Sequence, residues 1–383
     1  MHGKRPVIIC VGGGSAEEIL KLDEELVVGG KHTVTVKEAF GGSGVNYAMR
    51  LINAGFNVFP ILEVGKDRLG MNIRNELVKA SKLSSSSTFV TSFLSDHDGT
   101  AFFDSNIQTS RTTIVLHNRE RTIFTQKLRN GEHFIRHIEQ RLDQALKLVK
   151  RHPSAIMIGH IHSDSRRVNA GAAGECTKFL IERFKDKSLI YANFGKSQID
   201  LGFEFWKEYL PQVDVFQLNH SEAKLFFSHE NGEGSSLLEL VNAVRKNNMC
   251  AVITLDRFGA IGIHRDKPDS VYISRPFLED KDVRDPTGAG DAFAAGMVAH
   301  LCNCKCISAN NFQSAMDTAC LWAGYACKTY GGAGECPDRK SLENFEESVT
   351  PRQQRTVEVV NRDFDREIMT MLDTTSQNGY STI

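Results

Sequence analysis

The stretch "DPTGAGDAFAAGM", Asp285 to Met297, places glycine at 288, 290 and 296 around the start of an apolar, helix-like run. Glycine costs a helix about 1 kcal/mol relative to alanine, so a merely structural helix start gains nothing from two of them. The N–H groups of a first helical turn are unpaired, and the helix dipole adds partial positive charge there. Bare residues let an anion approach those groups closely. Gly288, Ala289 and Gly290 therefore read as an anion hole suited to a phosphoryl group in transfer. Asp291 beside them carries the side chain able to accept a proton from an attacking hydroxyl. The competing reading is that Asp291 only complements the dipole and Thr287 only caps the helix.

Outward from this stretch, short β-rich apolar runs alternate with amphipathic ones. PVIICV, NVFPILEV, SAIMIG, SLIYAN, VDVFQLN and MCAVITL read as strands. GVNYAMRLINAG, LGMNIRNELVKAS, EHFIRHIEQRLDQALKLVKR and SLLELVNAVRKNN read as the helices between them. Such alternation predicts an α/β domain with a doubly wound, mostly parallel sheet flanked by helices. Ligands of these sheets bind beyond the carboxyl ends of the strands. Two segments, about residues 26–40 and 89–125, break the alternation and predict a small β-sheet, either a lid over the crevice or an extended sheet edge. After Pro337 the texture turns charged and polar, so 1–337 is expected to form the domain and 338–383 an appended, partly helical tail.

Among the 383 residues, 46 Lys and Arg nearly balance 47 Asp and Glu, so no global field points to nucleic acid or acidic lipid. Small-molecule partners are expected, with no nucleic acid and no membrane. No apolar run approaches the roughly twenty residues of a membrane helix. Nine cysteines, odd in number and scattered, predict a reducing, cytoplasmic setting rather than a disulfide framework. The cluster "CNCKC", Cys302 to Cys306, lacks the paired spacing of a zinc site and reads as a thiol-rich helix end.

Common nucleotide motifs fail. GGGSAE at Gly12 has Glu17, and GAGDAF has Phe293, where a dinucleotide loop needs its third glycine; FGKS at Phe194 lacks the earlier glycine of a phosphate-binding P-loop.

Taken with its flanks, DPTGAGDAFAAGM resembles the C-terminal signature of the PfkB, or ribokinase-like, family of sugar and nucleoside kinases. GGSGVNYAMRLINAGFNVFPILEVGKDRLG, Gly41 to Gly70, is similar to the family's N-terminal motif. LNHSE resembles its N-x-x-E element, VITLDRFGA its nucleotide-side strand and turn, and GGAGECP its closing segment. The resemblance spans most of residues 7–337 in the family's order. It implies ATP as phosphoryl donor, Mg2+ as cofactor, K+ as a further cation, and a sugar as acceptor, with a nucleoside kinase and a non-catalytic binding protein as alternatives. It also implies that the irregular β-segments form the lid, through whose exposed edge a homodimer is expected.

Residue by residue, the resemblance makes Asp291 the catalytic base and places Gly41, Gly42 and Asn46 against the acceptor. Asn219 and Glu222 fall at magnesium and phosphate positions, Glu222 acting through water. Thr254 and Gly259 match nucleotide contacts, and Asp285 and Thr287 a monovalent-cation site. Each also has a bland reading, as a turn, cap or strand residue. Three departures stand out. Ser15 and Glu17 occupy the family's asparagine and substrate-holding aspartate, Ser43 replaces the lysine of a ribokinase proper, and Asp256 replaces a usual glycine. His160 and His162 follow a strand at the crevice end and make an incomplete metal pair. Arg119 and Arg121 fall in the lid segment, and Phe40 and Tyr47 flank the glycine motif as aromatic groups able to stack on a base.

Overall fold

The computed structural model describes residues 5–22, 24, 27, 29–84, 88–94, 107–117, 120–126, 134–231, 236–349 and 356–360. The SSSS run beyond Ser84, Arg119 and the segment DFDREIMTML lie outside the described residues.

The strands in chain order are β1 (Val7–Gly13), β2 (Ser15–Leu22), β3 (Val34–Gly41), β4 (Asn57–Glu63), β5 (Ser110–His117), β6 (Glu120–Thr125) and β7 (Ala155–Ile158). They continue as β8 (Leu189–Asn193), β9 (Val215–Asn219), β10 (Ala251–Thr254), β11 (Ala260–Ile263), β12 (Ser270–Ser274) and β13 (Thr356–Val360). Nine of them form one sheet in the order β13-β12-β11-β10-β9-β8-β7-β1-β4. From β4 to β10 all neighbours are parallel; β11, β12 and β13 close one edge antiparallel. β1 and β7 are buried along their whole length, as expected where helices cover both faces of a parallel sheet. The six strands and four helices read from periodicity are all present, with ends moved by a few residues.

The second sheet, in the order β3-β2-β5-β6, is the small sheet predicted from the two irregular segments, with altered bounds. It starts at Ser15, not near residue 26, because SAEEILKL is a strand whose alternate residues Ser15, Glu17 and Ile19 are buried. The two adjacent glutamates hide this from a sequence reading. Thr88–Leu94 is a helix, with Val90, Phe93 and Leu94 in the main core, so the small sheet takes only 110–117 and 120–125 from the second segment. Ile19, Ile114 and Leu116 make a small apolar cluster of their own beneath it.

The boundary at residue 337 also moves. The helix Arg339–Ser348 buries Leu342 and Phe345, the latter edge-on to Tyr325 at 5.5 Å. Beyond it, β13 pairs with β12 from Thr356 opposite Ser274 to Val360 opposite Ser270. The Thr356 hydroxyl donates to Asp317 at 2.6 Å, and Glu358 takes the Ser270 hydroxyl and the Lys267 ammonium. Residues through 360 therefore belong to the main domain. Among the described residues, no helix is long and apolar enough to cross a membrane.

The helix that DPTGAGDAFAAGM begins, Ala289–Leu301, is buried from Ala292 onward except at His300 and packs on the helix Ala309–Ala326. Gly296 lies at that crossing: a Cβ there would come within 2.7 Å of the Ala319 Cα and 3.1 Å of the Trp322 ring. Its glycine serves close helix approach. Gly296→Val is expected to destabilise the fold by about 1–3 kcal/mol through overpacking, read as a lower urea midpoint at unchanged slope; an unchanged midpoint would remove this explanation.

Candidate active site

The carboxyl ends of β1, β7, β8 and β9 meet the N-terminus of the helix Ala289–Leu301 at one rim of the sheet. Gly288 caps that helix with φ 75°, in the left-handed region, and a Cβ on it would strike the backbone of Gly332 at 2.7 Å. Its glycine is thus required by backbone shape and by packing. Gly290 differs. It is exposed, and a Cβ there would meet only the Gln217 Nε2 at 3.7 Å, an ordinary contact. Among the described residues, no atom needs the space that Gly290 leaves.

The Ala289 N–H donates to the Pro286 carbonyl at 3.1 Å, whereas among the described residues the Gly288, Gly290 and Asp291 N–H groups have no acceptor. The open donors of the turn are therefore shifted by one residue from the predicted trio, onto Asp291 in place of Ala289. Gln217, on β9, donates to the Gly290 carbonyl at 3.1 Å and receives the Tyr191 hydroxyl, which fixes the turn from below.

Asp291, half-buried, accepts from the Asn46 Nδ2 at 2.6 Å. Asn46 belongs to the helix Ser43–Asn53, 245 residues away in the chain, so the two glycine-rich signatures meet directly. Among the described residues, the buried Asn46 Oδ1 has no hydrogen-bond partner. Gly42 enters that helix with φ 87°, and a Cβ on it would strike the Gly13 carbonyl at 2.7 Å. Gly41 leaves room for Glu17, whose Oε1 stands 1.7 Å from where its Cβ would lie. Glu17 itself is 7% exposed and accepts from the Gly332 N–H at 3.3 Å, so it faces inward. Ser43 is buried and receives the His160 N–H at 2.8 Å.

The closing segment GGAG threads between these groups. Gly332 gives its carbonyl to Arg50 Nη2 at 2.6 Å and its N–H to Glu17, and the Ala333 N–H reaches the Phe40 carbonyl at 3.1 Å. A Cβ on Gly332 would strike the Asn46 amide at 2.7 Å. Arg50 was absent from the sequence reading. Its signal was its place one helical turn after Asn46, on the same face.

Asp285 is wholly buried, with Oδ1 receiving the Thr287 N–H and Oδ2 the Gly331 N–H, both at 2.8 Å. The Thr287 hydroxyl oxygen is buried and has no hydrogen-bond partner among the described residues. Asn219 and Glu222 form a reciprocal cap on the helix His220–Asn231, each side chain accepting from the other's N–H at 2.8 Å. Burial pushes the Glu222 carboxyl above the ordinary glutamate range. The His160 imidazole and the Asn219 N–H pull it back, while the Asp291 and Asp256 carboxylates add to the rise. Three carboxylates thus share this rim. Among the described residues, no group of three or more His, Cys, Asp and Glu is placed to hold a metal directly.

Thr254 ends β10 beside Asn219. Gly259 has φ 96°, and a Cβ on it would lie 2.0 Å from the Ser274 carbonyl, so its glycine is explained by packing. Asp256 is left-handed at φ 49°, which explains why glycine suits that position and what the aspartate replaces. His160 lies over Gly195, where a Cβ would come within 2.5 Å of the imidazole. The loop bearing His160 and His162 is held by Glu63, which accepts from the His162 and Ser163 N–H groups and the Ser163 hydroxyl. Tyr47 is wholly buried, and Phe40 packs on the core, so Tyr47 offers no stacking surface.

Solved structures share this fold over about nine tenths of the chain. A ribokinase from Giardia lamblia is 15% identical with a TM-score of 0.66, covering 90% of this chain and 99% of that one. A nucleoside kinase from Burkholderia thailandensis in complex with inosine is 16% identical at 0.61, covering 91% and 99%. A Vibrio cholerae fructokinase double mutant in a form bound to fructose, ADP and potassium ion is 17% identical at 0.60, covering 90% and 99%. Among curated proteins, none matches the chain. The model of the pfkB family carbohydrate kinases matches residues 103–339, a span that includes LNHSE, DPTGAGD and GGAG but not Gly41 to Gly70. With more than half its length matched, the chain belongs to the pfkB family of carbohydrate kinases.

Proposed function

We propose that the protein transfers the γ-phosphoryl group of ATP to a hydroxyl, a primary one, of a sugar. The observation that carries this reading is Gly290: an exposed glycine in a first helical turn, flanked by open N–H donors, with no packing reason for its missing side chain. The acceptor oxygen attacks the γ-phosphorus as the bond to the β-γ bridging oxygen breaks, and ADP leaves. The hydroxyl proton passes to Asp291, which Asn46 holds in place. The N–H groups of Gly290 and Asp291 stabilise the charge spread over the moving phosphoryl oxygens.

Glu222 and Asn219 would hold magnesium through water, since no closed set of ligands surrounds them. The three carboxylates on this rim favour a cation, whose chemistry is to neutralise the nucleotide phosphates. Asp285 and the unpartnered Thr287 hydroxyl would hold a monovalent cation behind the anion hole. A fructokinase of this fold is known with ADP and potassium ion bound, which supports the monovalent-cation assignment. Gly41, Gly42, Asn46 and Glu17 line the acceptor side, and Thr254 and Gly259 the nucleotide side. The sugar reading is favoured over a nucleoside by the burial of Tyr47, which removes one of the two aromatic groups flanking the glycine motif.

ADP release from Mg-ATP is to be followed against hexoses, pentoses and nucleosides. Turnover is expected on a sugar, and Asp291→Asn is expected to lower it by about 10²- to 10⁴-fold while ATP still binds. Nucleoside turnover would select the other acceptor, and ATP binding with no acceptor-dependent turnover would favour a non-catalytic role. A second variant separates site from scaffold. Gly290→Ala is expected to hold or raise stability by up to about 1 kcal/mol, from helix propensity, yet to cost about 10²-fold in kcat by displacing the phosphoryl group. Full activity in Gly290→Ala would contradict the anion-hole assignment.

A further inference from the structure

The CNCKC turn has no part in the site above, and it lies at the other end of the same helix. Ala289–Leu301 is 13 residues long, so its two ends stand about 20 Å apart at 1.5 Å per residue. Cys302, Cys304 and Cys306 line a cavity of about 590 Å³ below the amino ends of β7, β8 and β9, the rim opposite the candidate active site. Ser154, Leu189 and Asp214 mark those strand starts in its wall.

Charge in the cavity wall is uneven. Lys185, Lys187, Lys305 and Arg265 face it, against Asp186 and Asp214. Asp214 is already engaged, accepting the Ile190 N–H at 2.8 Å and lying near Arg265. Arg265 is fixed in place by the carbonyls of Pro211 and Val213 at 3.0 and 2.7 Å. Among the described residues Lys185 and Lys305 form no ion pair. The cavity therefore carries surplus positive charge beside three thiols.

The thiols differ in access. All nine cysteines are free, and Cys306 is the exposed one. Cys304 is half-buried beside it, and burial pushes the Cys302 thiol up to about 12. An exposed thiol can meet a reagent in solution, whereas buried thiols stay inert. No metal competes for the cluster, since its thiols are not placed to hold one.

We propose that this turn is a thiol-modification site, at which Cys306 forms a mixed disulfide with an anionic low-molecular-weight disulfide seated in the lysine-lined cavity. The Cys306 thiolate attacks one sulfur of the reagent. The reagent's S–S bond breaks, a new S–S bond to Cys306 forms, and the other half leaves as a thiolate that takes up the proton Cys306 gave up. The reagent disulfide is reduced as Cys306 is oxidised, so no further oxidant is needed.

The test uses the intact chain with oxidised glutathione, an anionic disulfide, and cystamine, a cationic one, each normalised to its rate with a small free thiol. Adducts are located by peptide mass mapping. The expected result is a first adduct on Cys306, formed at least about fivefold faster with oxidised glutathione at low salt. That preference falls in Lys305→Gln and in roughly 0.5 M salt, and the adduct is lost in Cys306→Ser. Equal normalised rates, a preference for cystamine, first reaction at Cys327 or Cys336, or no adduct on the folded chain would each overturn the proposal. None of these readings depends on kinase activity, so the assignment of the active site stands or falls separately.

Discussion

The hydrogen bond from Asn46 to Asp291, 2.6 Å long, is the constraint around which the rest of the site is built. It joins the helix between β3 and β4 to the first long helix of the connection from β12 to β13, far apart in sequence. A carboxylate left unsatisfied in a half-buried position would be costly, and so would a buried amide without a partner. Each therefore fixes the other's rotamer. Around this pair the backbone is drawn so close that side chains are excluded at Gly42, Gly288 and Gly332. The glycines are consequences of that proximity, and Gly290 is the exception that leaves space for something else.

The helix Ala289–Leu301 connects three physical roles. Its first turn presents open N–H groups, its middle packs at Gly296 against a neighbouring helix, and its far end carries the thiol turn. The buried middle makes it a rigid rod, so its first turn is placed by core packing rather than by loops. Rigid placement matters for phosphoryl transfer, where most of the rate comes from position and fixed charge.

Much of this was legible in the sequence, and the reasons are particular. The apolar runs of β1, β7, β8 and β9 are buried on both faces, so continuous hydrophobicity betrayed them. Gly288 and Gly290 stood out because a helix start has no intrinsic use for glycine. By contrast β2 was hidden, since Glu17 and Glu18 sit side by side and only burial reveals that one points in. The strand β13 was hidden by its charged surroundings, because a five-residue edge strand carries too few residues to set a period. Arg50 and Gly332 were missed because their roles arise from tertiary contact between segments that no local pattern links. The capping pair Asn219 and Glu222 looked the same in sequence whether cap or ligand, and the structure shows the cap.

The most direct measurement is a double-mutant cycle on unfolding free energy with Asn46→Ala, Asp291→Ala and the pair. A hydrogen bond to a charged group predicts a coupling of about 1.5–3 kcal/mol, so the double variant loses less than the sum of the singles. Strictly additive losses would contradict the account, because Asn46 and Asp291 would then not act as one unit.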